Sequence, residues 1–401
     1  MDLESFLADI SKAEYHWYVK RLSGNDTLAN DSHQAGPHVS LKFVFSLFPE
    51  WENRTDENQA TLLDLIIDSH GVSREIRLVW YNNKFRNRTR NEARFTNFGG
   101  KESPVLDPDS TGAIVVFACR RLTGKEKAEC HLWVTRTNDE QLHIESLVGT
   151  VEPGGGFLWR PAGIDANISN RKPESNCWLS KEEIPVEWFD VFPTGLELHE
   201  LAVKKVPRGA MDADARLVSR RSCEEQAFYS VEEAVELDHV LAGFNDIDGF
   251  LNKARSMIQR RMSRSGRSLE LHARRIFEEE GLKPDVGYSW QPKTEMGKKP
   301  DFIFPSINSY EDKTFSPERL RMLAVKTSCK DRWRQVINEA NRIPIKHLLT
   351  LQEGVSINQF KEMQDEGVRL VVPSKNKQKF NKDLRSELIT LSEFISEVRQ
   401  L

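Results

Sequence analysis

Apolar positions follow two different periods along the chain, and the change of period divides it. Before residue 165, short apolar runs bounded by turn residues predict strands at 39–45, 60–67, 76–81, 112–119, 131–135 and 144–151. The run 62–67 also fits a helix, and pattern alone leaves both open. Phe6, Ile10, Tyr15 and Trp17 predict an opening helix that leads into a strand. After residue 177 helical spacing takes over, clearest at 231–241 and 247–262, and a further helix is expected around Leu271, Ile276 and Phe277. Runs at 302–304, 322–325, 347–351 and 368–372 then read as strands, accompanied by helices at 331–340, 356–366 and 384–398. Strands alternating with helices predict an α/β core on a mixed sheet. Between the halves, Glu152, Pro153 and three glycines open an irregular stretch rich in Pro, Asn and Ser, as a linker requires. The expected organisation is a mostly β domain over 1–165, a linker over 166–176 and an α/β domain over 177–401.

Composition narrows the class without naming a chemistry. With 401 residues, 38% hydrophobic and 29% charged, the chain is long enough for two independent cores. It contains no apolar run of membrane-span length, and its start lacks a basic region followed by a hydrophobic one, so a cytoplasmic protein without a membrane partner is expected. Five cysteines, at 119, 130, 177, 223 and 329, are odd in number and form no CxxC pair, which suggests free thiols rather than disulfides or a zinc site. A formal net charge of −4 argues against a protein that coats nucleic acid indiscriminately, but it leaves room for local basic clefts. Basic residues cluster at Lys84, Arg86, Arg88, Arg90 and Arg94, and again at Lys253, Arg255, Arg260, Arg261, Arg264, Arg267, Arg274 and Arg275. Either cluster alone is more often a solvated face. Two of them, one beside the carboxylate and lysine pattern described next, predict two DNA-binding surfaces.

That pattern lies in residues 298–341. Asp301 follows Pro300 and opens a short strand, and Lys326 ends the uninterrupted apolar run Met322, Leu323, Ala324, Val325, which suits a strand buried on both faces. Hydrolysis of a phosphodiester calls for a divalent metal on hard oxygen ligands, a cation near the phosphate and an activated water. The usual arrangement puts an acid two residues before the lysine, where this chain has Ala324. Glu339, in the helix predicted to start at Asp331, is the natural substitute, sharing a helical stripe with Arg332 and Gln335. Pro-Asp before a strand with a later lysine is common and weak by itself. Gly154, Gly155 and Gly156 lack the lysine and the strand-to-helix setting of a phosphate-binding loop.

Longer stretches are far more specific. VKTSCKDRWRQ at 325–335, NEA at 338–340 and SRSGRSLELH at 263–272 resemble the catalytic domain of the EcoRII-type (type IIE) restriction endonucleases, in which the second acid has migrated to the following helix. Two loops of the first half resemble the DNA-clamping arms of that family's effector domain, a mostly β pseudobarrel. One carries Lys20, Arg21, Asn25, Asp26, His33 and Gln34, the other Arg88, Arg90, Glu92 and Arg94. Arg, Asn, Gln and Glu are the side chains suited to base edges, although a single histidine such as His33 says little alone. The second arm departs from the family at Ala93, where a lysine is expected.

The resemblance implies an α/β restriction-endonuclease-like (PD-(D/E)XK) catalytic domain in which Asp301 and Glu339, with Glu270, hold Mg²⁺ while Lys326 lies beside the scissile phosphate. It implies that Lys330, Asp331 and Arg332 read C·G pairs of a CCWGG-like site in double-stranded DNA. It further implies a homodimer, an amino-terminal domain that binds a second copy of the site and relieves its own blockage of the cleft, and a cognate cytosine methyltransferase that makes no direct contact. The competing readings are a non-catalytic DNA-binding regulator, against which the intact Asp301, Lys326 and Glu339 speak, and a nuclease acting on mismatches.

Overall fold

The computed structural model describes residues 1–11, 14–30, 36–52, 58–86, 91–121, 128–159 and 176–401. Backbone proximity groups them into two units, Met1–Ile168 with Gln352–Glu362 and Gln378–Arg385, and Ser169–Leu351 with Met363–Lys377 and Ser386–Leu401. The expected linker therefore lies almost wholly outside the described residues.

In the first unit eight strands form one sheet: β1 (His16–Arg21), β2 (His38–Val39), β3 (Gln59–Ile67), β4 (Val72–Tyr81), β5 (Glu92–Thr96), β6 (Ile114–Arg121), β7 (Ala128–Val134) and β8 (Gly156–Trp159). Their order is β2-β5-β4-β3-β7-β6-β1-β8, a nearly closed β barrel in which the β3–β7 pair alone is parallel. Strand alternation sorts the apolar residues between two faces. Tyr18, Leu65, Leu78, Phe95, Val115, Phe117 and Leu132 meet in one core. Trp17, Val19, Ile114, Val116 and Trp133 meet in another, covered by Phe6, Ile144 and Val148 from the helices Leu3–Asp9 and Asn138–Val148. Because β6 is buried on both faces over 114–119, it reads in sequence as a continuous apolar run.

Two predicted strands are helices. Over 39–45 the chain forms Leu41–Leu47: the Ser40 hydroxyl accepts from Phe43 N at 3.2 Å, and Phe43, Val44 and Leu47 turn together into the core. Over 144–151 it forms the end of Asn138–Val148, capped by Thr137 and stopped at Gly149 with φ +82°. Local capping overrode an apolar run that pattern alone could not assign. The ambiguous stretch 62–67 is strand, and β5 and β8 were not anticipated.

The cysteines also differ from expectation. Cys119 and Cys130 are direct cross-strand partners in β6 and β7, with Cα atoms 4.1 Å apart, and are disulfide-bonded, as are Cys177 and Cys223. Only Cys329 is a free thiol, and burial pushes it up to about 12. Spacing along the chain cannot show a register across strands.

The second unit is built on five strands, β9 (Ser289–Trp290), β10 (Phe302–Phe304), β11 (Arg321–Val325), β12 (Lys346–Leu349) and β13 (Val368–Val371), in the order β13-β12-β11-β10-β9. The pairs β11–β12 and β12–β13 are parallel and the pairs made by β10 are antiparallel, so the sheet is mixed as anticipated. Phe302, Phe304, Leu323, Val325, Leu349 and Val371 pack against Leu217 of the helix Ala213–Ala242, against Leu269, Ala273, Ile276 and Phe277 of the helix Ile247–Glu279, and against Phe394 and Ile395 of Leu391–Val398. The helix Ile247–Glu279 runs unbroken through Gly266, where a new helix was expected. Asp214 fastens the carboxyl-terminal part: its buried carboxylate accepts from Ser374 N, Leu391 N and Ser392 N at 3.2, 2.9 and 3.0 Å, and from the Ser392 hydroxyl.

Arg21, expected on a recognition arm, is a core residue here. Its guanidinium donates to Val151 O, Gly112 O and Gln141 Oε1 at 2.7, 2.7 and 2.6 Å, and pairs with Glu145 at 2.9 Å. Four donor contacts inside the fold leave little to offer a base. Removing one member of a buried pair strands the other charge, so Arg21→Met should destabilise the first unit by about 3–5 kcal/mol. Urea unfolding followed by tryptophan fluorescence measures this, and a loss below about 1 kcal/mol would contradict the assignment.

Candidate active site

The register of two strands brings Asp301 to Lys326. Phe302 pairs with Leu323 across β10 and β11, so the residue before β10 lies beside the end of β11. Asp301 Oδ2 accepts from Val325 N at 2.7 Å and lies 3.4 Å from Lys326 Nζ. Lys326 N continues the parallel ladder to Leu349 O at 2.9 Å, which fixes the backbone from which the ammonium projects.

Glu270 comes from the middle of the helix Ile247–Glu279 rather than from a first turn, and it is buried. Its Oε1 accepts from Trp290 Nε1 and, at 2.7 Å, from Gln291 Nε2, while Gln291 N donates to Asp301 O at 2.9 Å. Gln291 thus links the two acids. Burial, reinforced by the charge of Asp301, raises the Glu270 carboxyl above its ordinary range.

Glu339 reaches the site by a different route from the one predicted. The helix expected over 331–340 is a single turn, Trp333–Val336, and Ala340 has a left-handed φ of +45°. Trp333, Val336 and Ala340 are buried and Ile337 is half-buried, but the expected stripe of Arg332, Gln335 and Glu339 is not built by a continuous helix. Lysines take carbonyls at this point: Lys298 Nζ donates to Asn338 O at 2.7 Å, and Lys346 Nζ to Ala340 O at 2.6 Å and to Ile343 O. Burial pushes Glu339 up to about 7, with Lys326 opposing the rise and Asp301 adding to it. Lys346 is pushed down to about 8 by burial.

Asp301 therefore acts electrostatically on both glutamates. Among the described residues no three Asp, Glu, His or Cys side chains form a ready-made metal cage. The donor set nevertheless suits a hard divalent cation: three carboxylates, two of them destabilised as anions by burial and by the third, hold negative charge that such an ion would offset. Lys330, Asp331 and Arg332 occupy the turn between β11 and Trp333–Val336, half-buried, with Asp331 Oδ1 3.5 Å from Arg334 Nη1.

The amino-terminal candidates divide. Lys20 is buried, 3.1 Å from Asp26 and donating to His38 O at 2.9 Å. Asp26 also accepts from Ser23 N, the Ser23 hydroxyl and His38 N at 2.9, 2.8 and 3.0 Å. Together they brace the loop rather than extend from it. Asn25 is exposed, whereas Glu92 and Arg94 are half-buried on β5, with Arg94 Nη1 donating to Gly36 O at 3.1 Å. His33, Gln34, Arg88 and Arg90 lie outside the described residues.

Much of the second basic cluster is internal. Lys253 and Arg260 pair with Glu236, and Arg261 pairs with Glu232 at 2.6 Å, so acids of the helix Ala213–Ala242 neutralise the basic stripe of Ile247–Glu279. Trp290, Gln291, Lys298 and Lys346 were not anticipated at the site. Lys298 lies in the KKPD string and could have been suspected, but the others carry no local signal.

Comparison with known proteins identifies relatives for both halves. A family model described as "Restriction endonuclease EcoRII, N-terminal" matches residues 11–163, and one described as "EcoRII C terminal" matches 228–395. The chain is 40% identical to the type II restriction enzyme EcoRII of Escherichia coli over 401 residues, 99% of this chain and 97% of that protein. It is 26% identical to the type II restriction enzyme SsoII of Shigella sonnei over 154 residues, 37% of this chain and 49% of that one. Among solved structures, metal-depleted Ecl18kI in complex with uncleaved, modified DNA matches with a TM-score of 0.43 and 18% identity, covering 55% of this chain and 84% of its own.

The raised Glu339 has a testable consequence for the metal-free protein. Its folded value of about 7 lies above the ordinary 4.5, so its contribution is complete below about 4.5 and is lost as pH rises through about 7. Glu339→Gln removes that loss. In EDTA the variant should match the parent near pH 4.5 and exceed it at pH 8 by about 1 kcal/mol, once solvent screening is allowed for. Thermal unfolding at several pH values checks this, and a constant difference across the range would contradict it.

Proposed function

The chain belongs to the EcoRII family of type II restriction endonucleases, and on that premise we propose that it hydrolyses double-stranded DNA at CCWGG-like sites with Mg²⁺ as cofactor. The observation that carries the active-site part is the shared carboxylate of Asp301, hydrogen-bonded to the end of β11, facing Lys326 and acting on Glu270 and Glu339. In this reading the second unit is a PD-(D/E)XK nuclease core whose second acid has moved from position 324 to Glu339.

Asp301 and Glu339 would hold the cation, with Glu270 joining directly or through water. Bound there, Mg²⁺ would lower the pKa of water and stabilise the leaving oxygen. Lys326 orients the attacking water and offsets charge that develops on the phosphate. Trp290 and Gln291 hold the Glu270 carboxylate in place, and Gln291 ties that placement to the backbone of Asp301. Lys330 and Arg332 suit guanine acceptors and Asp331 suits the cytosine amino group, so base reading and catalysis share one strand end.

The amino-terminal domain, residues 1–165, would bind a second copy of the site and, when empty, restrain cleavage by the catalytic domain, 177–401, across a linker at 166–176. Base contacts are assigned to Asn25, His33, Gln34, Arg88, Arg90, Glu92 and Arg94, with Lys20 and Asp26 as supports of the first arm. A cytoplasmic homodimer acting on both strands of a palindrome, protected by a cognate cytosine methyltransferase that it does not contact, completes the reading. No helix among the described residues is long and apolar enough to cross a membrane.

With Mg²⁺, the full chain should cut multi-site plasmid DNA into discrete fragments at CCWGG. A single-site plasmid should be cut slowly and accelerated by a short duplex carrying the site. Lys326→Ala should reduce cleavage by at least about 10³-fold while leaving sequence-specific binding in place. Specific binding without cutting by the unaltered chain would favour a DNA-binding regulator instead.

A further inference from the structure

The turn that carries Glu339 is held from both sides. Lys298 Nζ donates to the carbonyl of Asn338 at 2.7 Å and Lys346 Nζ to the carbonyl of Ala340 at 2.6 Å, and these are the residues immediately before and after Glu339. Lys298 stands three residues before Asp301, on the segment leading into β10. Lys346 is buried at the start of β12, where it pairs with Met322 of β11, the strand that ends next to Lys326. Lys298 therefore anchors the turn to the segment that supplies Asp301, and Lys346 anchors it to β12, the neighbour of the strand that Lys326 follows.

Such anchoring is needed here. Helical backbone geometry ends at Ile337 and the chain turns through φ +45° at Ala340, so around Glu339 only isolated turn bonds, Glu339 N to Val336 O at 3.1 Å and Ile343 N to Ala340 O at 2.9 Å, take the place of a helical ladder. The two ammonium groups add to these bonds, and charge-assisted bonds are about twice as strong as neutral ones. A migrated acid on a loose turn would leave its carboxylate without a fixed position, whereas groups that orient a ligand usually govern metal affinity strongly.

We infer that Lys298 and Lys346 are positioning residues that clamp Asn338 and Ala340 so that the Glu339 carboxylate stays beside Asp301 and Lys326. The inference rests on the reading of Glu339 as a metal-holding carboxylate. Neither lysine needs to touch DNA or metal for this role.

Lys298→Ala, Lys298→Arg and Lys346→Met test it in the full-length protein, with Glu339→Gln alongside. The first readout is the rise in Tm caused by Mg²⁺ without DNA. The second is the Mg²⁺ concentration giving half-maximal cleavage, and the third is affinity for a CCWGG duplex in EDTA. K298A and K346M should each weaken the Tm response and raise the required Mg²⁺ by about tenfold, with cleavage recovering at high Mg²⁺ and duplex affinity unchanged. K298R, which keeps a donor, should behave like the parent. The clamp is refuted if K298A keeps the parental Tm response while E339Q loses it, or if K298A loses duplex affinity with unchanged metal dependence, which would make Lys298 a DNA contact. An E339Q variant with the parental Tm response would sink the reading of Glu339 itself, and the clamp with it. Should K346M fail to fold, the half-exposed Lys298 carries the test alone.

Discussion

The register between β10 and β11 is the constraint on which the candidate site depends. Phe302 opposite Leu323 sets Asp301 against the last peptide of β11, and the bond from Val325 N fixes its carboxylate there. Phe302, Phe304, Leu323 and Val325 share one core, and a slip of one residue in β10 would turn Phe302 and Phe304 out of it to the opposite face of the sheet. Burial of those residues against the helix Ile247–Glu279 therefore fixes the placement of the acid, and the same helix delivers Glu270. Packing and chemistry are specified by one set of contacts.

Charge is distributed unevenly around that point. Lys326 stands 3.4 Å from Asp301, while burial, with the charge of Asp301 adding to it, raises the proton affinities of Glu270 and Glu339. A site meant only for stability would pair its acids, as Glu279 is paired with Arg216 and Arg220 and Glu232 with Arg261. Leaving two partly buried carboxylates with incomplete compensation costs stability in the folded protein, and perturbation of this kind clusters at functional sites.

Elsewhere the cations serve as internal struts. Arg21 closes a gap between β1 and the helix Asn138–Val148, Lys20 and Asp26 stiffen the loop that follows β1, and Lys298 and Lys346 hold the Glu339 turn. Lys253, Arg260 and Arg261 join two long helices. A count of basic residues overstates the surface available to DNA whenever such side chains reach carbonyls or acids of their own chain.

By itself the sequence determined the two-part organisation, most strands, the mixed sheet of the second unit and, through long motif strings, the family. Those features rest on local periodicity and on strings of adjacent residues, which a linear reading preserves. It also picked out Asp301, Lys326, Glu339 and Glu270 as candidates. What only the tertiary structure decided was the state of each side chain. Helices replaced strands at 41–47 and 138–148 because caps at Ser40 and Thr137 outweighed apolar runs. Cys119 met Cys130 through register, Arg21 went inward because Glu145 waited there, and Glu339 rode on a clamped turn instead of a helix. The caps are local, but the cysteine pair, Arg21 and the Glu339 turn each depend on a partner that lies across a strand or in another element. Spacing along the chain carries no information about such neighbours until folding brings them together.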